Sequence, residues 1–215
     1  MCGRFSFNKK HNKELAARFK LKEIPENLVG NSNLSPGQNV PAILNTSPGK
    51  LSLLRWGLIP SWAKEEAIGF KTFNARAETI IEKPAFKESI RKRRCLILAD
   101  GFYDWKKTEK GKQPYHITLK DKSLFAFAGI WDIWKSSQGE VASCSIITTA
   151  PNALIAPIHD RMPVILPSSK EKRWLGDMLL EEIISLLKSY PEEGMEASAI
   201  RVSRGSLAHK EILLF

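Results

Sequence analysis

No apolar run in this chain approaches the roughly 18 residues that a membrane-spanning helix needs, and the start, MCGRFSFNKKHNKE, lacks the apolar stretch of a secretion signal. A cytoplasmic location is the expectation. Cysteine is scarce: Cys2, Cys95 and Cys144 are odd in number, far apart and without a CxxC pair. Neither a disulfide framework nor a zinc site is suggested. Histidine is equally sparse, with His11, His116, His159 and His209 scattered along the chain. A phosphate-cradling Gly-rich loop, a GxSxG turn, an internal repeat and a low-complexity tract are all missing. No cofactor and no metal are expected.

What is present is an ordinary globular composition of 215 residues, 43% hydrophobic and 26% charged, enough for one substantial core. The charge is one-sided. Lys and Arg total 33 against 23 for Asp and Glu, a formal +10, with an isoelectric point near 9.6. Such a balance favours polyanionic partners through attraction and counterion release, although solvated lysines alone would produce it too.

Apolar patterning divides the chain into short elements. Asn8–Lys20 reads as an amphipathic helix with Leu15, Ala16 and Phe19 on one face, and the polar stretch from Pro25 to Pro41 as surface loop. Strand-like runs recur at Leu51–Trp56, Cys95–Ala99, Tyr115–Leu119, Leu124–Ile130, Val141–Thr149 and Met162–Leu166. Helical patterns fall at Pro84–Lys92, Lys170–Leu175 and Asp177–Lys188, the last stopping before Tyr190-Pro191. The class predicted is α+β, a single domain over 1–215, with an antiparallel-rich sheet system and peripheral helices. Cys95 and Cys144 lie in apolar runs and read as inert core thiols. The basic run Arg91-Lys92-Arg93-Arg94 reads as the solvated end of a helix.

Cys2 has no such apolar context. Its small side chain permits removal of Met1, which leaves an α-amine and a β-thiol on one residue. An amine condenses with an aldehyde to an imine, and a thiol two carbons away can then close a five-membered thiazolidine. With reference pKa values of about 7.8 for an α-amine and about 10.4 for lysine, the neutral fraction at pH 7 is some hundredfold larger at the chain start.

Four motifs accompany Cys2: MCGRF at the start, FNARAET at residues 73–79, DGFYDWK at 100–106 and IHDRMP at 158–163. With NLSPGQ, WGLIPSW, FAGIWD and IITTA in the same order, they cover residues 1 to about 175. This combination resembles the SOS response-associated peptidase family. The resemblance implies a barrel-like core and a protein that recognises abasic sites in single-stranded DNA and caps them as a covalent crosslink in the DNA damage response. It implies that Cys2 is the nucleophile, that Asn74 holds or polarises it, and that residue 104 and His159 move protons around the opened sugar. Arg76 would grip a phosphate, with Arg4, Asn33, Thr148 and Arg161 adding to the phosphate-binding surface. Trp62, Trp105 and the Leu34–Pro36 segment, Pro36 included, would stack against or wedge between splayed bases.

Taken singly, each residue also fits a bland role. His159 fits a structural histidine, Asn74 a turn or cap, Arg76 with Glu78 a pair of strand-surface charges, and Trp62 and Trp105 core. One departure stands out: family members usually carry Glu where this chain has Asp104, shorter by one methylene, about 1.5 Å of reach. The expected partner is single-stranded DNA containing abasic sites, with no membrane, no obligate protein partner, a monomeric state and nucleoid association when DNA is bound. Weak lyase activity by β-elimination is a secondary expectation. Two other functions stay open: a cysteine peptidase using the Cys2 thiol, at least for removal of its own Met1, and a non-catalytic single-strand binder.

Overall fold

The computed structural model describes residues 2–8, 12–109, 111–137 and 139–200. Met1, His11 and His209 lie outside them. In chain order the first strands are β1 (Arg4–Phe7), β2 (Asn31–Leu34), β3 (Asn39–Leu44), β4 (Ser47–Trp56), β5 (Asn74–Arg76) and β6 (Arg94–Ala99). There follow β7 (Gly101–Thr108), β8 (Gly111–Leu119), β9 (Phe125–Ser136), β10 (Gly139–Thr149), β11 (Met162–Pro163), β12 (Ile165–Leu166) and β13 (Met195–Ala199). The α-helices are short: α1 (Asn12–Phe19), α2 (Lys87–Lys92), α3 (Ser168–Leu175) and α4 (Leu180–Ser185).

Two β systems share one core. In the first, β10 pairs with β4 on one side and β9 on the other, so the order β10-β4-β3-β6-β9 returns to its start as a five-stranded barrel. Closure leaves no free edge among these strands. The pairings are antiparallel except between β10 and β4, where Ser143 and Cys144 lie beside Arg55 and Trp56 in parallel. The second is an open sheet, β13-β8-β7-β1-β2, with β1 inside it and β2 at its edge. The barrel-like core and peripheral helices expected from sequence are what the chain forms.

Aromatic packing joins the two systems. Phe5 of β1 sits 5.0 Å from the Trp56 ring and 5.6 Å from the Phe127 ring, so the chain start is anchored on β4 and β9. Burying a side chain of that size is worth roughly 3–5 kcal/mol against Ala. Inside the barrel Gly129 is obligatory: a Cβ there would stand 2.8 Å from both Cys95 Sγ and Ile97 Cδ1. Cys95 and Cys144 are fully buried, as expected of core thiols, and burial pushes both thiols up from the usual range.

Several expectations are corrected. The polar Pro25–Pro41 stretch is not all loop: Phe5 and Phe7 of β1 pair with Leu34 and Asn31, and β3 begins at Asn39. Residues 101–108 form a full strand, β7, and Lys87–Lys92 is the only α-helical part of the pattern that began at Pro84. The run at 91–94 is only half solvated. Arg94 is 3% exposed and donates to the carbonyls of Ile90, Arg91, Trp174 and Gly176, tying the ends of α2 and α3 together, while Arg93 pairs with Asp132 at 3.2 Å. Its charge therefore serves packing more than a surface field.

Candidate active site

Cys2 lies two residues before β1 begins at Arg4, and the register fixes what surrounds it. Arg4 stands opposite Tyr103, so following β1 back to Cys2 leads along β7 to Asp104 and Trp105. On another side, β5 runs parallel to β10, with Asn74, Ala75 and Arg76 beside Ile146, Ile147 and Thr148. Asn74 heads that three-residue strand and donates from Nδ2 to the Cys2 carbonyl at 2.8 Å. Residues 2, 74 and 104 are thus gathered by strand pairing.

The gathered groups are dry and incompletely satisfied. The Cys2 side chain is fully buried, its Sγ 3.8 Å from the Arg4 carbonyl, and burial first, then the Asp104 charge, push its thiol well above the ordinary range. Asp104 is 2% exposed and its carboxyl is raised, chiefly by burial, with His159 opposing. Its Oδ1 accepts the Trp105 N–H at 2.9 Å. Among the described residues Asp104 Oδ2 and Asn74 Oδ1 are buried with no hydrogen-bond partner. Such orphans are costly and concentrate where a ligand or reaction uses them.

His159 faces Asp104 across a gap. Its Nε2 is 4.0 Å from Asp104 Oδ1, too long for a hydrogen bond and short enough for an ion pair. The Arg161 N–H donates to Nδ1 at 3.0 Å, which assigns the proton of a neutral ring to Nε2, on the Asp104 side. Asp160 Oδ1 also approaches Nδ1 at 2.7 Å, a contact that needs a protonated ring; the Asp160 side chain is 84% exposed and free to swing away, so the backbone donor is the better guide.

The basic residues expected to grip phosphate differ sharply among themselves. Arg76 ends β5 exposed, its side chain making no hydrogen bond or ion pair among the described residues. Arg161 is not available in the same way. Its guanidinium forks onto Glu78 Oε1 and Oε2 at 2.8 and 2.9 Å and donates to the Thr148 carbonyl at 2.6 Å. That fork holds the Glu78 carboxyl below the usual range, with the Arg76 charge a lesser contribution. Thr148, expected on the phosphate-binding surface, is fully buried in β10 with its Oγ1 3.5 Å from the Ala75 carbonyl, so it supports Arg161 and β5 from behind. Arg4 donates to Asn33 Oδ1 at 2.9 Å, and both are partly exposed.

Of the aromatic and wedge residues, Trp62 is 59% exposed, Trp105 is half-buried on β7 and Pro36 is half-buried in the turn between β2 and β3. Sequence reasoning passed over Phe70, also exposed, and over Glu78 as the partner of Arg161; the two-residue spacing of Arg76 and Glu78 was the signal for the second. A cleft of about 640 Å³ on the open sheet, lined by Ser6, Asp100, Tyr103 and His116 among others, contains none of the expected site residues. Among the described residues no group of three His, Cys, Asp or Glu side chains is arranged to hold a metal ion, and no helix is long and apolar enough to cross a membrane.

A cysteine whose carbonyl is held by an amide, beside a carboxyl that an imidazole faces, where the open sheet meets the barrel, defines a class of single-cysteine sites assembled from four distant parts of one chain. The particular family follows from comparison. The SOS response associated peptidase (SRAP) model matches residues 1–205, and the chain belongs to that family. It is 45% identical over 204 residues to the abasic site processing protein YoqW of Bacillus subtilis, covering 92% of this chain and 91% of that one. It is 46% identical over 204 residues to the abasic site processing protein YoaM of the same organism, covering 92% and 89%. A solved structure from Bacteroides thetaiotaomicron superimposes with a TM-score of 0.86 at 35% identity, covering 93% of this chain and 92% of that one.

Proposed function

We propose that this protein processes abasic sites in single-stranded DNA by capturing them covalently on Cys2 once Met1 has been removed. The names of its relatives support the substrate, and the Asn74 amide on the Cys2 carbonyl beside the Asp104–His159 pair supports the residue. The chemistry balances without a cofactor. The α-amine attacks C1′ of the ring-opened deoxyribose, the carbinolamine loses one water to give an imine, and the thiol adds across C=N. Sulfur bonds to carbon and its proton ends on nitrogen, closing a thiazolidine. Asp104, whose carboxyl burial raises from its ordinary range, supplies the proton for water loss, and His159 serves ring opening. An imine that escapes the thiol undergoes β-elimination, which is the lyase activity.

The order of events follows from the thiol. A buried, protonated thiol is a poor nucleophile, so the amine reacts first and the sulfur second. The same fact disfavours the cysteine peptidase reading, which needs a thiolate from the outset. Because Cys2 has no exposed surface while Met1 is still attached, the reading requires that loss of Met1 open the site. The 4.0 Å gap between Asp104 and His159 is the shape that a side chain one methylene short would leave. Crosslinking should therefore depend less on Asp104 than on Cys2; an Asp104→Ala rate as low as that of Cys2→Ala would refute this.

The deciding experiment mixes protein with single strands carrying an abasic site, a tetrahydrofuran mimic without an aldehyde, or thymine, followed by denaturing electrophoresis. Only the first shifts, and Cys2→Ala or N-terminal acetylation abolishes the shift. Cys2→Ser gives a less durable product, because the oxazolidine is less stable. A shift that survives acetylation ends the amine mechanism, and intact affinity with no covalent product in any arm leaves a plain single-strand binder.

A further inference from the structure

One nitrogen of the His159 ring has two claimants. The Arg161 N–H donates to Nδ1 at 3.0 Å, which leaves the proton of a neutral ring on Nε2. Asp160 Oδ1, 2.7 Å from the same Nδ1, can only accept, so it holds the ring when Nδ1 carries the proton instead. Asp160 is 84% exposed and gives up little by staying or leaving, so the outcome turns on how firmly residue 161 is fixed. Its side chain does the fixing. The Arg161 guanidinium, on a side chain 12% exposed, takes both Glu78 oxygens at 2.8 and 2.9 Å and the Thr148 carbonyl at 2.6 Å. A planar two-bond fork sets direction as well as distance, which a single surface ion pair does not. Glu78 belongs to the 3-10 turn Ala77–Thr79 that follows β5 directly. The fork therefore fastens the segment carrying His159 to the element whose first residue, Asn74, holds the Cys2 carbonyl.

We propose that Glu78 is a positioning residue for His159: by holding Arg161 it keeps the backbone donor on Nδ1 and the ring proton on Nε2, on the Asp104 side. This rests on the reading of Cys2 given above and adds to it the control of one proton. Glu78 acts through Arg161 and needs no contact with DNA or the reacting atoms. When the fork is loosened, Nδ1 passes to Asp160: one proton leaves Nε2 for water and another arrives on Nδ1. Nε2 then offers the opened sugar a lone pair where it had offered a proton, and the donor half of the proton transfer is lost.

The test compares the unmutated protein with Glu78→Gln and with Glu78→Gln combined with Asp160→Ala. Three quantities are read: the crosslinking rate at saturating abasic strand, the affinity for the tetrahydrofuran strand, and the His159 tautomer. Long-range nitrogen-15 correlation spectra at pH 8, where an ordinary imidazole is neutral, give the tautomer, with His159→Gln identifying the resonances. Glu78→Gln should crosslink about tenfold more slowly at unchanged affinity, with the proton on Nδ1. Adding Asp160→Ala removes the rival acceptor and should restore both the rate and the proton on Nε2. A Glu78→Gln protein that keeps Nε2 protonated, or a rate that Asp160→Ala fails to restore, overturns the positioning role. Tighter tetrahydrofuran binding with a salt slope steeper by about 0.7 overturns it too, and makes Glu78 a rival of DNA phosphate for Arg161. Absence of any crosslink in the unmutated protein overturns the Cys2 reading instead, and the tautomers still judge Glu78 alone.

Discussion

The barrel and the seam around Cys2 are built on opposite terms. In the barrel every strand is paired on both sides and the inward side chains pack to the point where one extra carbon at Gly129 has no room. At the seam, among the described residues, Asn74 Oδ1, Asp104 Oδ2 and Arg161 Nε are buried without partners, and a carboxyl and an imidazole stop short of each other. Ser145 Oγ on β10 and Arg55 Nε on β4 are also buried without partners among the described residues, so what sets the seam apart is that a carboxylate oxygen and an amide oxygen are left unmet side by side with Cys2.

The largest effect comes from overfilling the barrel. Gly129→Val should cost about 3 kcal/mol or prevent folding altogether, read by urea unfolding; a normal midpoint would remove the barrel from its place as the stability core. At the seam the proportions should reverse. Asn74→Ala should lose only about 1 kcal/mol of stability, for one hydrogen bond. Its crosslinking rate should drop about hundredfold, as for loss of one preorganised donor, and single-turnover kinetics beside a melt would expose the opposite ratio.

A sharper test uses pH. Folding raises the Asp104 pKa, so the carboxyl contributes fully below its unfolded value of about 3.9 and that contribution is lost as pH rises through the raised value. Asp104→Asn, uncharged throughout, should melt most nearly like the unmutated protein near pH 3.5 and above it at pH 8. Equal melting temperatures at pH 8 would mean that the seam carries the charge at no cost. The smallest effect separates the two arginines. Arg76→Ala should reduce the slope of log affinity against log salt by about 0.7, the value for one phosphate on a single strand. Arg161→Ala should show first as lost stability, because it strands Glu78.

The same contrast governs how much was legible beforehand. Barrel strands were readable because they are long apolar runs: Cys95–Ala99 and Val141–Thr149 lie within β6 and β10. Strands near the site were not. β2, with residues NSNL, is a polar edge strand identified by its pairing with β1, and β5 is three residues long and exists because β10 lies beside it. Arg94 looked like surface charge, since nothing in its neighbours foretells four carbonyls converging on it from two helix ends. The motifs marked which residues belonged together. That Arg161 is already engaged, while the Arg76 side chain is exposed and unpaired among the described residues, depends on Glu78 and Thr148, which only the folded chain brings to Arg161.

β1 lies between β7 and β2, so the front of the polypeptide is threaded into the interior of a sheet whose other strands are made later. During synthesis Cys2 precedes the residues it meets in the fold, Asn74, Asp104 and finally His159, by 72 positions or more. Such long-range closure is slow. The contact between Asn74 and the Cys2 carbonyl is thus complete only when the whole domain has folded around it, so a chain caught partly folded holds residues 2, 74 and 104 apart.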